Sequence, residues 1–178
     1  MSHRTLIAYA SRAGSTAEVA ETVGDVLREN GIDVDVRSVK DITEVAGYDS
    51  LVFGSAIWAG KPLPELLRFV AGQRDTIAQL PVAYFILCDT LREYTPANRQ
   101  IALGYLAPLR KLREPVNVGM FAGRRDFSRV HPILAWILMR AFHLAEGDWR
   151  DWEQIREWAA TVAPQLTGAS AHLATGAA

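Results

Sequence analysis

Residues 5–20, TLIAYASRAGSTAEVA, decide the fold. Residues 5–9 form a short apolar run bounded by small residues, the pattern of a buried strand. Residues 10–15 are small and polar. From Ala17 onward Val19, Ala20, Val23, Val26 and Leu27 recur at helical spacing, with Glu18, Glu21, Asp25 and Arg28 opposite. Asn30-Gly31 ends that helix. A buried strand, a tight polar turn and an amphipathic helix make the first half of a parallel crossover unit.

Working outward, residues 32–38 alternate apolar and charged, which predicts an edge strand with one wet face. Residues 50–56 (SLVFGSA), 81–88 (PVAYFILC) and 115–122 (PVNVGMFA) are apolar on both faces and read as interior strands. Helices are expected at 64–71, 96–111 and 151–163, with Pro96 in a tolerated first-turn position. Residues 57–62, 89–95 and 123–130 read as loops, and 131–144 as a very apolar helix. There is no internal repeat. Residues 1–166 therefore read as one domain of α/β class with an apolar helical insertion at about 124–150. Residues 167–178 are low in complexity and expected to be disordered. The expected architecture is a three-layer sandwich around a five-stranded parallel sheet in order 2-1-3-4-5. Its ligand would sit past the carboxyl ends of the first and third strands, where the chain direction of the sheet switches.

Composition excludes several classes. Nineteen Lys+Arg against twenty Asp+Glu give a net charge of −1, unlike a basic nucleic-acid binder. One cysteine, Cys88, rules out an intramolecular disulfide framework. The start of the chain lacks the basic and apolar regions of a signal peptide, and no apolar run approaches the ~20 residues of a membrane span. A cytoplasmic location is expected. His3, His131, His143 and His172 lack metal-ligand spacing, so no metal is expected.

Three segments at the switch point carry chemistry. Ser11, Arg12, Ala13, Gly14, Ser15 and Thr16 combine hydroxyls, a cation, a flexible glycine and a helix N-terminus, the ingredients of a phosphate seat. An ordinary capped turn is the equal alternative on that loop alone. The Gly-Lys-Ser/Thr of a Walker loop and the three glycines of a dinucleotide fingerprint are both missing. Trp58, between Ile57 and Ala59-Gly60, is placed to lie against a planar ligand; packing on a neighbouring helix is the alternative. Arg124, Arg125 and Arg129 with Phe127 precede the apolar stretch, which reads as a core helix or as a greasy lip beside cations. Cys88 alone reads as packing.

The segments LIAYASRAGSTAEVAETV, YDSLVFGSAIWAGKPLPELLRFV and FAGRRDFS through GDWRDWEQIREWA resemble the flavodoxin superfamily, and within it the flavodoxin-domain group that includes bacterial menaquinone-dependent protoporphyrinogen dehydrogenases. The resemblance runs from about residue 5 to 162. It implies a flavodoxin-like fold and noncovalent FMN. Ser11 through Thr16 would hold the phosphate. Ser55, Ala56, Ile57, Trp58, Ala59 and Gly60 would line the ring, and Cys88, Asp89 and Thr90 would begin the loop on its other side. Ala13 stands where many flavodoxins carry a hydroxyl. Lys61, Arg124, Arg125 and Arg129 are the candidate substrate-side cations; no catalytic acid or base is assigned. The implied function is FMN-dependent dehydrogenation, of porphyrinogen type, with a quinone acceptor. A flavodoxin-type electron carrier, served by a redox protein partner, is the alternative, against which the near-neutral charge weighs. A binding module without flavin is the third. Trp136, Leu138 and Phe142 would serve equally as a dimer contact, and residues 131–145 as a peripheral membrane contact.

Overall fold

Strands apolar on both faces must be covered on both faces, and the protein meets that requirement with helices in two outer layers. The computed structural model describes residues 2–125, 133, 140 and 146–168. The chain runs β1 (Arg4–Ala10), α1 (Ser15–Glu29), β2 (Asp33–Ser38), β3 (Ser50–Trp58), β4 (Lys61–Pro62), α2 (Pro64–Gly72), α3 (Arg74–Ile77), β5 (Val82–Leu87) and a 3-10 turn (Asp89–Arg92). It continues through α4 (Pro96–Tyr105), α5 (Ala107–Arg110), β6 (Asn117–Phe121), β7 (Arg124–Arg125), β8 (Gly147–Asp148) and α6 (Trp152–Leu166). The parallel sheet has the order β2-β1-β3-β5-β6, the expected 2-1-3-4-5. β1 pairs with β3 from Thr5↔Ser50 to Ala10↔Ser55, and β3 with β5 from Leu51↔Val82 to Ala56↔Leu87.

Alternation along each strand sends side chains to two cores. Leu6, Phe53, Tyr84 and Ile86 pack under Leu66, Val70, Leu106 and Leu109. Ile7, Val52 and Phe85 pack under α1 and α6, against Val19, Val23, Leu27, Ile155 and Val162. Gly54 lies opposite Phe85 in the ladder. A Cβ built there would fall 2.1 Å from Phe85 Cζ, so only glycine lets that ring lie over the sheet.

Several boundaries differ from the sequence reading. The expected helix 96–111 is two helices, because Pro108 has no N–H to offer the carbonyl one turn back. α6 extends past 163 to Leu166 and carries Pro164 in its last turn. A short α3 follows α2. The loop expected at 57–62 is a tight hairpin: β3 continues to Trp58 and turns through Ala59 and Gly60 to pair with β4. The expected basic loop begins with β7, whose Arg124 and Arg125 pair antiparallel with Asp148 and Gly147. The remainder of the insertion, 126–132, 134–139 and 141–145, lies outside the described residues. With it go Phe127, Arg129, Trp136, Leu138, Phe142 and most of the expected apolar helix. Ile133 and Arg140, which are described, are both exposed. Residues 169–178 of the expected tail are likewise outside. No helix among the described residues is long and apolar enough to cross a membrane.

Gly54→Ala is expected to lower stability by about 1–3 kcal/mol through overpacking against Phe85. Urea unfolding should show a lower midpoint with an unchanged slope.

Candidate functional site

The turn between β1 and α1 is built around Gly14, which caps the helix with φ 91°, a left-handed conformation that favours glycine. Ser11 Oγ accepts the Gly14 N–H at 3.0 Å and closes the turn. The first N–H groups of a 15-residue helix then face outward without intrahelical acceptors. Thr16, in that first turn, is fully buried, and its Oγ1 has no hydrogen-bond partner among the described residues. An orphaned buried hydroxyl costs about 1–3 kcal/mol. Its position beside the free N–H groups is what a phosphate acceptor would repay.

The second wall is the hairpin. Ala59 and Gly60 both have positive φ, 49° and 75°, the arrangement that closes a two-residue hairpin. Trp58 is thrown clear of the core and is 65% exposed. The Arg12 guanidinium lies 5.2 Å from its ring centroid, so the two loops touch across the switch point. Such an exposed cation–π contact contributes about 0.5–1 kcal/mol.

Ser11, Arg12, Ala13 and Ser15 join Ala56, Ile57, Trp58, Cys88, Asp89, Arg124 and Arg125 around one cleft of about 410 Å³. Leu63 and Leu87, which sequence reading did not single out, complete the lining with apolar surface. Other expected residues are outside that lining. Ser55 is buried and spends its hydroxyl on the hairpin, accepting from the Leu63 N–H at 2.9 Å and donating to the Ala56 carbonyl at 2.7 Å. Thr90 Oγ1 shares a hydrogen bond with the Tyr105 hydroxyl at 3.1 Å. Gly14, Thr16, Ala59, Gly60 and Lys61 are also outside the lining, and Lys61 is exposed on β4. Arg129 lies outside the described residues. Burial pushes the Cys88 thiol up to about 11, which keeps it protonated and inert.

Charge around the cleft is arranged in pairs. Arg125 is bound to Asp89. Glu18, one turn into α1, meets Arg124 at 3.2 Å and Arg150 at 2.7 Å. The Arg150 side chain is only 3% exposed, grips Asp148 with a second arm and stacks on Trp152. Hydrogen bonding from Arg150 holds the Asp148 carboxyl below its ordinary range. This cluster roots β7, through Arg124, and the chain after β8, through Arg150, on the first turn of α1. Glu18 and Arg150 are 132 positions apart in sequence, and no motif or spacing links them.

A three-layer α/β protein with an anion seat and an aromatic-walled cleft at the switch point is the class that this fold and site define. The chain belongs to the flavodoxin domain family, whose model matches residues 6–148. The chain is 24% identical over 173 residues to protoporphyrinogen IX dehydrogenase [quinone] of Escherichia coli (strain K12), spanning 90% of this chain and 94% of that protein. Among solved structures, an oxidoreductase from Corynebacterium diphtheriae superposes with a TM-score of 0.58 at 17% identity, covering 94% of this chain and 99% of the other. Oxidised flavodoxin 2 from Bacillus cereus gives 0.57 at 17%, covering 93% and 99%. The cofactor of the family is FMN. The residues present fit that group: the α1 N-terminus with Thr16 suits the phosphate, and the apolar cleft beside Trp58 suits a planar ring.

Thr16→Val should leave the protein without FMN no less stable in thermal unfolding, since it removes an unpaired buried hydroxyl. FMN affinity, read by flavin fluorescence titration, should fall by about tenfold or more, the worth of a hydrogen bond to a charged group. Arg150→Met should cost about 1–3 kcal/mol at pH 7. The lowered Asp148 carboxyl contributes stability above the usual carboxylate pKa of ~4 and loses it as pH falls through its folded value. The gap between wild type and variant in urea unfolding should therefore narrow toward pH 3.

Proposed function

We propose that this protein is an FMN-dependent oxidoreductase that dehydrogenates a porphyrinogen-type substrate and passes the electrons to a quinone. The observation that carries the reading is a cleft with apolar walls and cations on two sides, Arg12 on the β1 loop and Arg124 with Arg125 on β7. An amphipathic ring system bearing carboxylates has the complementary chemistry. The end-to-end match to a quinone-dependent protoporphyrinogen IX dehydrogenase supports the same reading. So does the near-neutral charge of the chain, since a diffusible carrier is ordinarily steered by a strong field of one sign.

When bound, FMN would supply the redox chemistry, and the protein binding, orientation and electrostatics. Ser11, Ser15, Thr16 and the free N–H groups of the α1 N-terminus would hold the phosphate end. Ala56, Ile57 and Leu87 would exclude water from the ring, with Trp58 at the exposed rim. Arg124 and Arg125 would face the substrate, each already set in place by a carboxylate, Glu18 and Asp89. The substrate would lose hydrogen, and the same electrons and protons would convert quinone to quinol.

The test is an oxygen-free fluorescence assay of the FMN-loaded protein with protoporphyrinogen IX and a menaquinone analogue. Porphyrin fluorescence should rise only when both are present. A flat trace with FMN bound would overturn the dehydrogenase reading and leave an electron carrier.

A further inference from the structure

Beside the cleft, the indole of Trp149 carries a guanidinium on its face. Arg92 Cζ lies 3.8 Å from the Trp149 ring centroid, and Arg125 Cζ lies 5.9 Å from it. Stacking fixes the plane of a guanidinium and leaves its N–H edge for a planar anion. Arg125 spends that edge on Asp89. For Arg92 no carboxylate partner occurs among the described residues.

Two cavities meet at this pair. One, of about 310 Å³, is lined by Asp89, Thr90, Glu93 and Asn98 together with Arg92 and Trp149. The other, of about 320 Å³, brings Leu91, Tyr94 and Ala122 to the same two side chains. Asp89 lines both the first cavity and the large cleft, so the two are neighbours. The carboxylates nearby differ in role. Asp89 is paired with Arg125, and Asp151 caps α6 by accepting the Gln154 N–H at 3.0 Å. Glu93 is the remaining countercharge, and it disfavours a dianion more than a single carboxylate.

We propose that Arg92, held flat on Trp149, is a carboxylate-binding subsite for the second reactant, one cavity away from the cofactor cleft. It rests on the proposed function in naming the ligand as an acid arm of an aromatic or tetrapyrrole substrate. The apolar side of the second cavity, Leu91, Tyr94 and Ala122, receives the ring, and the Arg92 edge receives the carboxylate in bidentate fashion. Substrate orientation in the cleft then follows from where its acid arm is pinned.

The experiment titrates the FMN-loaded full chain with protoporphyrin IX, with its dimethyl ester and with 2-naphthoate, an aromatic monocarboxylate without redox chemistry. Arg92→Gln should weaken both acids by about tenfold, one charge-assisted contact, and leave the ester unchanged. Arg92→Lys should recover only part of the loss, because an ammonium lacks the planar fork. Glu93→Gln should act in the opposite direction and tighten both acids. Arg92-dependent naphthoate binding without porphyrinogen turnover would remove the proposed function and keep the subsite. Acid binding indifferent to Arg92, an ester affected as strongly as the acid, or no binding of either acid would overturn the subsite.

Discussion

The parallel pairing of β1 with β3 is the constraint on which the rest of the structure depends. Six residue pairs, Thr5↔Ser50 through Ala10↔Ser55, hold the two strands side by side, and β3 runs on past the last pair to Trp58. The chain then leaves them in opposite directions. α1 covers one face through Val19, Val23 and Leu27, while α2 covers the other through Leu66 and Val70. Two connections that diverge from adjacent strands must leave a gap between their first turns. Ser11 to Ser15 stand on one bank of that gap and Ala56 to Trp58 on the other. The cleft is therefore a consequence of handed crossovers on a parallel sheet, and the side chains only furnish it.

The furnishing is mostly electrostatic. A chain of net charge −1 still presents several guanidinium groups around one end of the sheet. Each described one at the cleft is held in place by a carboxylate or an aromatic face: Arg12 by Trp58, Arg124 by Glu18, Arg125 by Asp89. Exposed ion pairs of this kind contribute about 0–1 kcal/mol each. Their value lies in position, because a guanidinium already oriented loses less freedom when an anion arrives. Arg150 is the exception in degree. Its side chain is nearly buried, and it ties Asp148 of β8 to Glu18 of α1. β7, β8 and the first turn of α1 thus share one ionic anchor.

Much of this was legible from residue patterns because the patterns were local. Apolar runs at 50–56 and 81–88 are buried strands, and the wet alternation at 32–38 is the edge strand β2. The turn 11–16 stands where its glycine and hydroxyls placed it. Where the fold departs from these patterns, the cause is also local. Residues 57–62 were expected to be a loop on the strength of Gly60 and Pro62. In the fold, Ala59 joins Gly60 at positive φ and the strand folds back on itself. Pro108 stands inside an otherwise helical pattern and splits it. The resemblance implies Ser55 as a ring contact, and the structure adds that its hydroxyl holds the returning chain at Leu63.

The sequence by itself determined the five strands of the parallel sheet, the main helices between them, their order and the segments at the switch point. Those depend on hydrophobic periodicity and on glycine, proline and hydroxyl chemistry over a few neighbouring residues. Only the tertiary structure decided which distant charges meet: Glu18 with Arg150, Asp89 with Arg125, Arg92 with Trp149. It also decided that Thr16 is buried without a partner while Trp58 stands exposed. The reason is physical. A side chain's burial and its long-range partners are set by how crossover helices pack on the sheet, and no local pattern encodes a contact between residues 132 positions apart.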